Sequence, residues 1–320
     1  MNFPSILVAI EPKSFPEYEA AVVAGGGAVA AMSSAVEALV WTNYHAPADL
    51  RTLLQANPQI KWVQLPFAGV DAFADILNDF SVDSLTRPAG VPGVVFTSAK
   101  GCYREPVAEH ALALTLALCR TFPERILAKS WGRQFAVSLY ESKILIVGGG
   151  GITEELLLLL APFKTDVTVI RKRVDGNLAG ATRTLGFESL DEQLAIADVV
   201  ILAAALTPET TGLINARRFS LMKDTSYLVN IARGPMVVTD GLVDALQSGS
   251  IAGAGVDVTD PEPLPDGHAL WNSPNIIITP HTADTRPMVV LLFSKRITQN
   301  VQAYFTGQDM IGLVDAQLGY

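Results

Sequence analysis

Two cysteines in 320 residues, Cys102 and Cys119, cannot build a disulfide framework, and without other ligands they cannot hold a zinc ion. No metal centre is therefore expected. Long apolar runs are missing too. The stretch Leu194 to Leu206 is broken by Asp198 and is too short to cross a bilayer, so no membrane segment is expected despite a mean hydropathy of +0.32. Basic residues are outnumbered, 23 Lys and Arg against 32 Asp and Glu, and the net charge of −9 disfavours nucleic acid as a partner. An anionic substrate would have to be met by local cations rather than by the overall field. The opening Met1-Asn-Phe-Pro-Ser lacks the basic start of a secretion signal, which predicts a cytoplasmic protein. What remains abundant is apolar: 49% of residues, with only 17% charged. That balance argues for large buried cores and against disorder, and the length leaves room for two domains.

The stretch from Lys143 to Thr153, Lys-Ile-Leu-Ile-Val-Gly-Gly-Gly-Gly-Ile-Thr, organises the chain. Ile144 to Val147 reads as a buried strand, because β-branched residues dominate and nothing polar interrupts. Glycines follow at once, then an apolar helical run from Leu156 to Leu160. Strand, glycine turn and helix open a dinucleotide-binding unit: Gly148 permits the turn, Gly150 lets backbone approach a pyrophosphate, and the helix N-terminus offers N–H groups to the anion. The pattern G-x-G-x-x-G lacks its third small residue, since Thr153 stands there, followed by Glu154 and Glu155. Two carboxylates suit the first turn of a helix but would repel a pyrophosphate. Alone, the motif does not separate a nucleotide loop from a glycine-rich linker.

The rest of the chain supplies context. Strands are predicted at Ile6–Ile10, Ala38–Thr42, Trp62–Leu65 and Val94–Thr97, with a helix at Leu50–Ala56. Ala20 to Ala31, containing Gly25-Gly-Gly27, reads as a helix end and turn rather than a second phosphate loop, because no strand leads into it properly. Pro66-Phe-Ala-Gly-Val-Asp71 is a turn rich in small residues after a strand, a place where backbone N–H groups can hold a carboxylate; a plain connecting turn is the simpler alternative. Glu105 to Leu118 begins a long apolar helix with Pro106 in its first turn. Beyond the glycines, strands are predicted at Asp166–Ile170, Asp198–Ala204, Ser226–Ile231, Gly253–Val258 and Ile276–Thr279, with helices at Asp191–Ala197 and Asp240–Gln247. Six strands alternating with helices imply a doubly wound parallel sheet of dinucleotide-binding size.

Three polar side chains follow successive late strands: Arg233, Glu262 and His281. In a parallel sheet such positions gather at one edge, where ligands bind. A guanidinium can bind a carboxylate and polarise an adjacent carbonyl. An imidazole can give a proton to the oxygen as hydride reaches the carbon, and a neighbouring carboxylate keeps that imidazole charged. Taken singly, the Arg suggests a cap or surface pair, the Glu between Pro261 and Pro263 a solvated loop, and the His a satisfied core residue. Together they point to reduction of a 2-oxo acid.

With these residues in hand, the chain resembles the D-isomer-specific 2-hydroxyacid dehydrogenases over most of its length. The motifs that carry the resemblance are Phe67-Ala-Gly-Val-Asp71, Val107-Ala-Glu-His-Ala111, the Gly148 loop, Leu206-Thr-Pro-Glu-Thr210, Val229-Asn-Ile-Ala-Arg-Gly234, Gly255-Val-Asp-Val-Thr-Asp-Pro-Glu-Pro263 and Thr279-Pro-His281. The resemblance implies an α/β protein of two Rossmann-like domains with parallel sheets. The smaller, substrate-binding domain is discontinuous, residues 1–98 with 285–320, and the dinucleotide domain is 99–284, with Arg286 to Phe305 a long helix returning to the first. It implies that Arg233 binds substrate, His281 is the acid/base, and Glu262 supports the histidine. Ala68 and Gly69 would contact the substrate carboxylate through backbone. The cofactor would touch Gly148, Gly150, Gly151, Ile152 and Thr153, then Ala205, Leu206 and Thr207, then Ile231, Ala232, Arg233 and His281, with Asp257 near the nicotinamide. Glu109 and His110 match a family motif whose role there is structural. A homodimer through the dinucleotide domains is implied, with the helix from Val107 near the interface, and substrate binding in a cleft that closes against water.

Two departures sharpen the expectation. Members that prefer NAD usually carry an acidic residue at the end of the second strand, whereas here stand Arg171, Lys172 and Arg173, so NADP(H) is the predicted cofactor and NAD(H) a possible second. A solvated basic turn is the alternative. The family often has a cation where Gly151 stands and a small residue where Thr153 stands; a β-branched residue there is expected to push the helix from the strand. The expected activity is hydride transfer between NADP(H) and a small 2-oxo acid such as glyoxylate or hydroxypyruvate. The alternative is a non-catalytic dinucleotide-sensing interaction protein of the corepressor kind, which the intact trio disfavours. Tyr44, Phe67, Tyr103 and Trp271 are candidate pocket residues.

Overall fold

Apolar strands alternating with helices build two separate parallel sheets in the computed structural model, which describes residues 6–318. One unit holds the chain through Tyr103 and again from Thr285; the other runs from Arg104 to Asp284.

The first unit contains β1 (Leu7–Glu11), α1 (Pro16–Ala24), β2 (Ala28–Val29), β3 (Ala38–Trp41), α2 (Pro47–Ala56), β4 (Trp62–Gln64), α3 (Ala74–Phe80) and β5 (Val95–Thr97). Its sheet order is β2-β1-β3-β4-β5. Every residue of β3 is buried, as expected of a strand covered on both faces, and Leu39, Trp41, Leu50, Val63, Phe73 and Phe96 form the core. Gly25 to Gly27 end α1, as the sequence suggests, but Ala28–Val29 then forms β2 where only a turn is expected, a strand of two residues being too short to carry an apolar run.

The second unit contains α4 (Arg104–Cys119), α5 (Phe122–Leu127), β6 (Lys143–Val147), α6 (Gly151–Leu160), β7 (Asp166–Ile170), β8 (Arg183–Leu185), α7 (Leu190–Ile196), β9 (Val199–Leu202), α8 (Ala216–Phe219), β10 (Tyr227–Asn230), α9 (Thr239–Ser248), β11 (Gly253–Val256) and β12 (Ile276–Ile278). The sheet runs β12-β11-β10-β9-β6-β7-β8. It has seven strands where six are predicted. The extra one, β8, is three residues long with only Thr184 buried, so it carries no apolar run to detect. Strand order reverses at β6, which has β7 on one side and β9 on the other, and ligands of such sheets bind beyond the strand ends at that reversal. Gly255 in β11 lets α4 lie across the sheet: a side chain there would stand 3.1 Å from Leu114 Cβ and 3.4 Å from Leu118 Cδ1. Both leucines are buried, and burial of each contributes roughly 1.5–3 kcal/mol.

The chain then returns to the first unit as α10 (Arg286–Thr306), which lies against α1. Gly25 is required at that contact, since a Cβ would stand 2.7 Å from the Thr298 carbonyl oxygen. Asn300 of α10 donates to the buried Gln64 side chain at 2.7 Å, and Arg296 donates to the carbonyls of Ser98 and Lys100 at 2.8 and 2.9 Å. No helix among the described residues is long and apolar enough to cross a membrane.

Candidate active site

The loop after β6 has the shape a phosphate cradle needs. Gly148 takes φ +115°, and a side chain on it would run into the Ala203 carbonyl, so only glycine makes this turn. Gly150 caps α6, and the space where its Cβ would stand is open for 4 Å. The first N–H groups of a helix have no intrahelical acceptor and face such a space with a partial positive charge. Gly151 and Ile152 form the first turn of α6, both half-buried. Thr153 is fully buried, and its hydroxyl donates to the Gly148 carbonyl at 2.8 Å. The β-branched residue is thus built into the turn and fastens helix to loop. Glu155 lies 3.7 Å from Arg104, which balances part of its charge, while Glu154 is exposed.

The basic residues after β7 have carboxylates beside them. Arg171 runs its methylenes over Gly149, where a Cβ would stand 2.7 Å from Cδ, and its guanidinium lies 3.6 Å from Asp175. Arg171 Nε is buried without a hydrogen-bond acceptor. Lys172 lies 3.7 Å from Glu209, and Arg173 is exposed. Beyond β9, the hydroxyl of Thr210 donates to the Ala205 carbonyl at 2.8 Å and accepts from Thr207 N–H at 2.8 Å. That bridge closes the Ala205-Leu206-Thr207 loop; Thr210 ends the motif Leu206-Thr-Pro-Glu-Thr210, but its role depends on contacts only the fold creates.

At the ends of β10, β11 and β12 the polar trio assembles. Asn230, the last residue of β10, accepts from Ala232 N–H at 3.1 Å and donates to the Arg233 carbonyl at 3.0 Å, which sets the turn carrying Ile231, Ala232 and Arg233. A side chain on Gly234 would strike the Thr259 carbonyl, so this glycine brings that turn against the loop bearing Glu262. His281 Nδ1 and Glu262 Oε1 are 2.6 Å apart. The bond to Glu262 raises the His281 pKa above its usual value, and the same bond lowers that of Glu262; each side chain is about two-fifths exposed, at 42% and 41%. Arg233 opposes protonation of His281 by charge repulsion and helps to hold Glu262 ionised.

Asp257 is 2% exposed and acts as a buried acceptor at the end of β11. Its Oδ1 accepts from the Thr279 hydroxyl at 2.6 Å and Thr282 N–H at 2.9 Å, and its Oδ2 accepts from Ala283 N–H at 3.1 Å. Burial would raise its pKa, but hydrogen bonds from His110, Thr279, Thr282 and Ala283 prevail and hold it at about 2. Asp284 was not singled out by its sequence. Burial pushes its carboxyl up to about 6, with Asp257 adding to the rise and His281 and Arg233 opposing it.

In the first unit, Ala68 and Gly69 follow β4, with Ala68 exposed and Gly69 half-buried. The turn is held by Ala99 N–H to the Phe67 carbonyl at 2.9 Å and by the Tyr103 hydroxyl to the Pro66 carbonyl at 2.7 Å. The rings of Tyr44 and Phe67 meet edge to face with centroids 4.9 Å apart. Trp271 belongs to the other unit and donates to the Pro265 carbonyl at 3.0 Å. Among the described residues, no group of three His, Cys, Asp or Glu side chains is placed to hold a metal ion.

Comparison with known proteins agrees with this architecture. The family model described as D-isomer specific 2-hydroxyacid dehydrogenase, NAD binding domain, matches residues 112–283. The chain is 38% identical to an uncharacterized protein in the proB 3′ region of Corynebacterium melassecola, over 82% of this chain and 84% of that one. It is 32% identical to the human glyoxylate reductase/hydroxypyruvate reductase, over 82% and 79% of the two chains. Among solved structures, a D-isomer specific 2-hydroxyacid dehydrogenase from Xanthobacter autotrophicus Py2, in complex with NADPH and MES, superposes with a TM-score of 0.81 at 26% identity, covering 99% of both chains. The chain therefore belongs to the D-isomer specific 2-hydroxyacid dehydrogenases, oxidoreductases that act on CH–OH groups with a nicotinamide dinucleotide.

Proposed function

We propose that this protein reduces a small 2-oxo acid of the glyoxylate or hydroxypyruvate type to its D-2-hydroxy acid, with NADPH as the preferred reductant. The observation that carries the proposal is the 2.6 Å contact between His281 Nδ1 and Glu262, at the same sheet edge as Arg233. With Nδ1–H donated to Glu262, Nε2 holds the transferable proton. Arg233 pairs with the substrate carboxylate and polarises the adjacent carbonyl. Ala68 and Gly69, in the turn after β4, offer backbone N–H groups to a carboxylate. His281 protonates the carbonyl oxygen in the reductive direction and removes that proton in the oxidative one.

The dinucleotide fits the glycine loop, where Gly148 makes the turn and Gly150 leaves open space before α6. When bound, the nicotinamide supplies or accepts the hydride. Gly151, Ile152 and Thr153 flank the pyrophosphate; Ala205, Leu206, Thr207, Ile231 and Ala232 line its path, with Asp257 behind the nicotinamide end. Arg171, Lys172 and Arg173 bind the 2′-phosphate, and the NADPH in the Xanthobacter structure supports that preference. The name of the human relative supports the substrate class.

The reading includes a homodimer through the dinucleotide-binding units. Support comes from a run of exposed apolar side chains after α4, with Ile126, Leu127 and Trp131 at 75%, 77% and 88% exposure. It also includes a reducing, cytoplasmic setting, in keeping with two buried free thiols. Replacing His281 by Ala tests the assignment. Turnover is expected to fall by roughly two to four decades, the usual worth of a general acid; near-normal turnover would remove it.

A further inference from the structure

We propose that His110 and Thr279 are positioning residues, forming a one-way chain of hydrogen bonds into Asp257 that fixes the turn presenting His281. The proposal rests on His281 being the acid/base.

His281 sits at φ +51°, in the left-handed region that a non-glycine residue occupies only when its surroundings dictate it. Its N–H is shared between the carbonyls of Asp257, at 2.8 Å, and Thr279, at 3.0 Å. The Asp257 carboxylate gathers Thr279 on one side of His281 and the N–H groups of Thr282 and Ala283 on the other. Asp257 thus ties down both flanks of the histidine without touching its ring.

The direction of the bonds follows from what each group can do. An ionised carboxylate only accepts, so the single Thr279 proton goes to Asp257 Oδ1, 2.6 Å away. The Thr279 oxygen is then an acceptor toward His110 Nε2, 2.9 Å away, and Nε2 must carry a proton. The same N–H lies 3.4 Å from Asp257 Oδ1, where only a donor is favourable. His110 is held in place because α4 crosses β11 at Gly255. Three elements therefore converge: the first half of α4, the end of β11 and the end of β12.

The charged groups around the His281 ring are Glu262, Arg233, Asp257 and Asp284. If the turn loosens, the Nδ1 contact with Glu262 loses its alignment, and the imidazole gives up its proton at lower pH.

Two measurements test the chain. In the folded wild-type protein, nitrogen NMR of the four histidine rings reads the tautomer directly, without cofactor or substrate. His110 is expected to be protonated at Nε2; a bare Nε2 overturns the proposal. Kinetically, Thr279→Val should lower kcat for glyoxylate reduction about tenfold, the kinetic equivalent of one lost hydrogen bond to a charged group. It should also move the alkaline limb of kcat/KM to lower pH. Thr279→Ser keeps the hydroxyl and should restore most of the rate and return the limb. Equal damage in both variants would mean that the methyl group matters rather than the proton chain, and a Val variant with wild-type rate and limb would also overturn it. An inactive His281→Ala beside an unaffected Thr279→Val would sink the chain alone; an active His281→Ala would sink the acid/base assignment beneath it.

Discussion

Replacing Glu262 by Gln keeps an oxygen beside His281 Nδ1 and removes only the charge. The bond lost in strength is a charge-assisted one with a 2.6 Å separation. In a fully desolvated setting such a bond contributes roughly 1.5–3 kcal/mol. Both side chains are about two-fifths exposed, at 42% and 41%, so solvent screening brings the effect to the low end, on the order of 1–1.5 kcal/mol. That corresponds to about a tenfold fall in kcat/KM for reduction near neutrality. The pH profile gives the sharper test. The bond to Glu262 is the main cause of the raised His281 pKa. Reduction needs the protonated ring, so activity is full below that pKa and falls as pH rises through it. Without the Glu262 charge the descent must start at lower pH. Oxidation of the hydroxy acid needs the neutral ring, so its ascending limb must move in the same direction. Initial rates of NADPH oxidation and NADP reduction across the neutral and alkaline range measure both. Limbs that coincide with the wild type in both directions would refute the role given to Glu262.

Other consequences follow from charges near the site. Arg171→Ala should weaken NADPH binding more than NADH binding, by about tenfold for one lost phosphate contact. Glu209→Gln, which frees Lys172, should tighten NADPH severalfold at low salt and less at high salt, because the exposed pair is screened. Titration calorimetry with both cofactors reads each change, and an unchanged preference in Arg171→Ala would reduce the basic cluster to a solvated turn. Asp284, with its carboxyl pushed up from 3.8 to about 6, contributes stability below the unfolded value that is lost as pH rises through about 6. Asp284→Asn should therefore be more stable than the wild type at mildly alkaline pH, by on the order of 3 kcal/mol, and melt at a higher temperature, with the difference vanishing near the ordinary carboxylate range. Equal melting at both pH values would show that burial of this carboxyl is not felt.

The strands that proved legible are apolar runs, in the middle of a sheet or, like Ile276–Ile278, at its edge. Ile144–Val147 and Ala38–Trp41 are continuous apolar runs because helices cover both sides of each sheet. β8 escaped because Arg183-Thr-Leu185 carries no such run. Arg233, Glu262 and His281 were legible for a topological reason: residues following parallel strands collect at one edge, so order along the chain predicts proximity. Partners that act through the folded backbone were not legible. Asn230 and Thr210 shape the loops after β10 and β9 by bonding to main-chain groups. Glu209 meets Lys172 from thirty-seven residues away, a pairing that no local pattern announces. Thr153 looked like a misfit in the glycine pattern, yet its hydroxyl finds the Gly148 carbonyl within the turn itself.

The NADPH-dependent reduction of a small 2-oxo acid proposed for this edge is open to direct assay. Steady-state oxidation of NADPH and of NADH by the purified protein, across 2-oxo acids from glyoxylate and hydroxypyruvate to phenylpyruvate, tests it most directly. Turnover should favour NADPH and decline from the small acids to the aromatic one. Bound cofactor with no oxidation by any acid, or a clear preference for NADH, would contradict it.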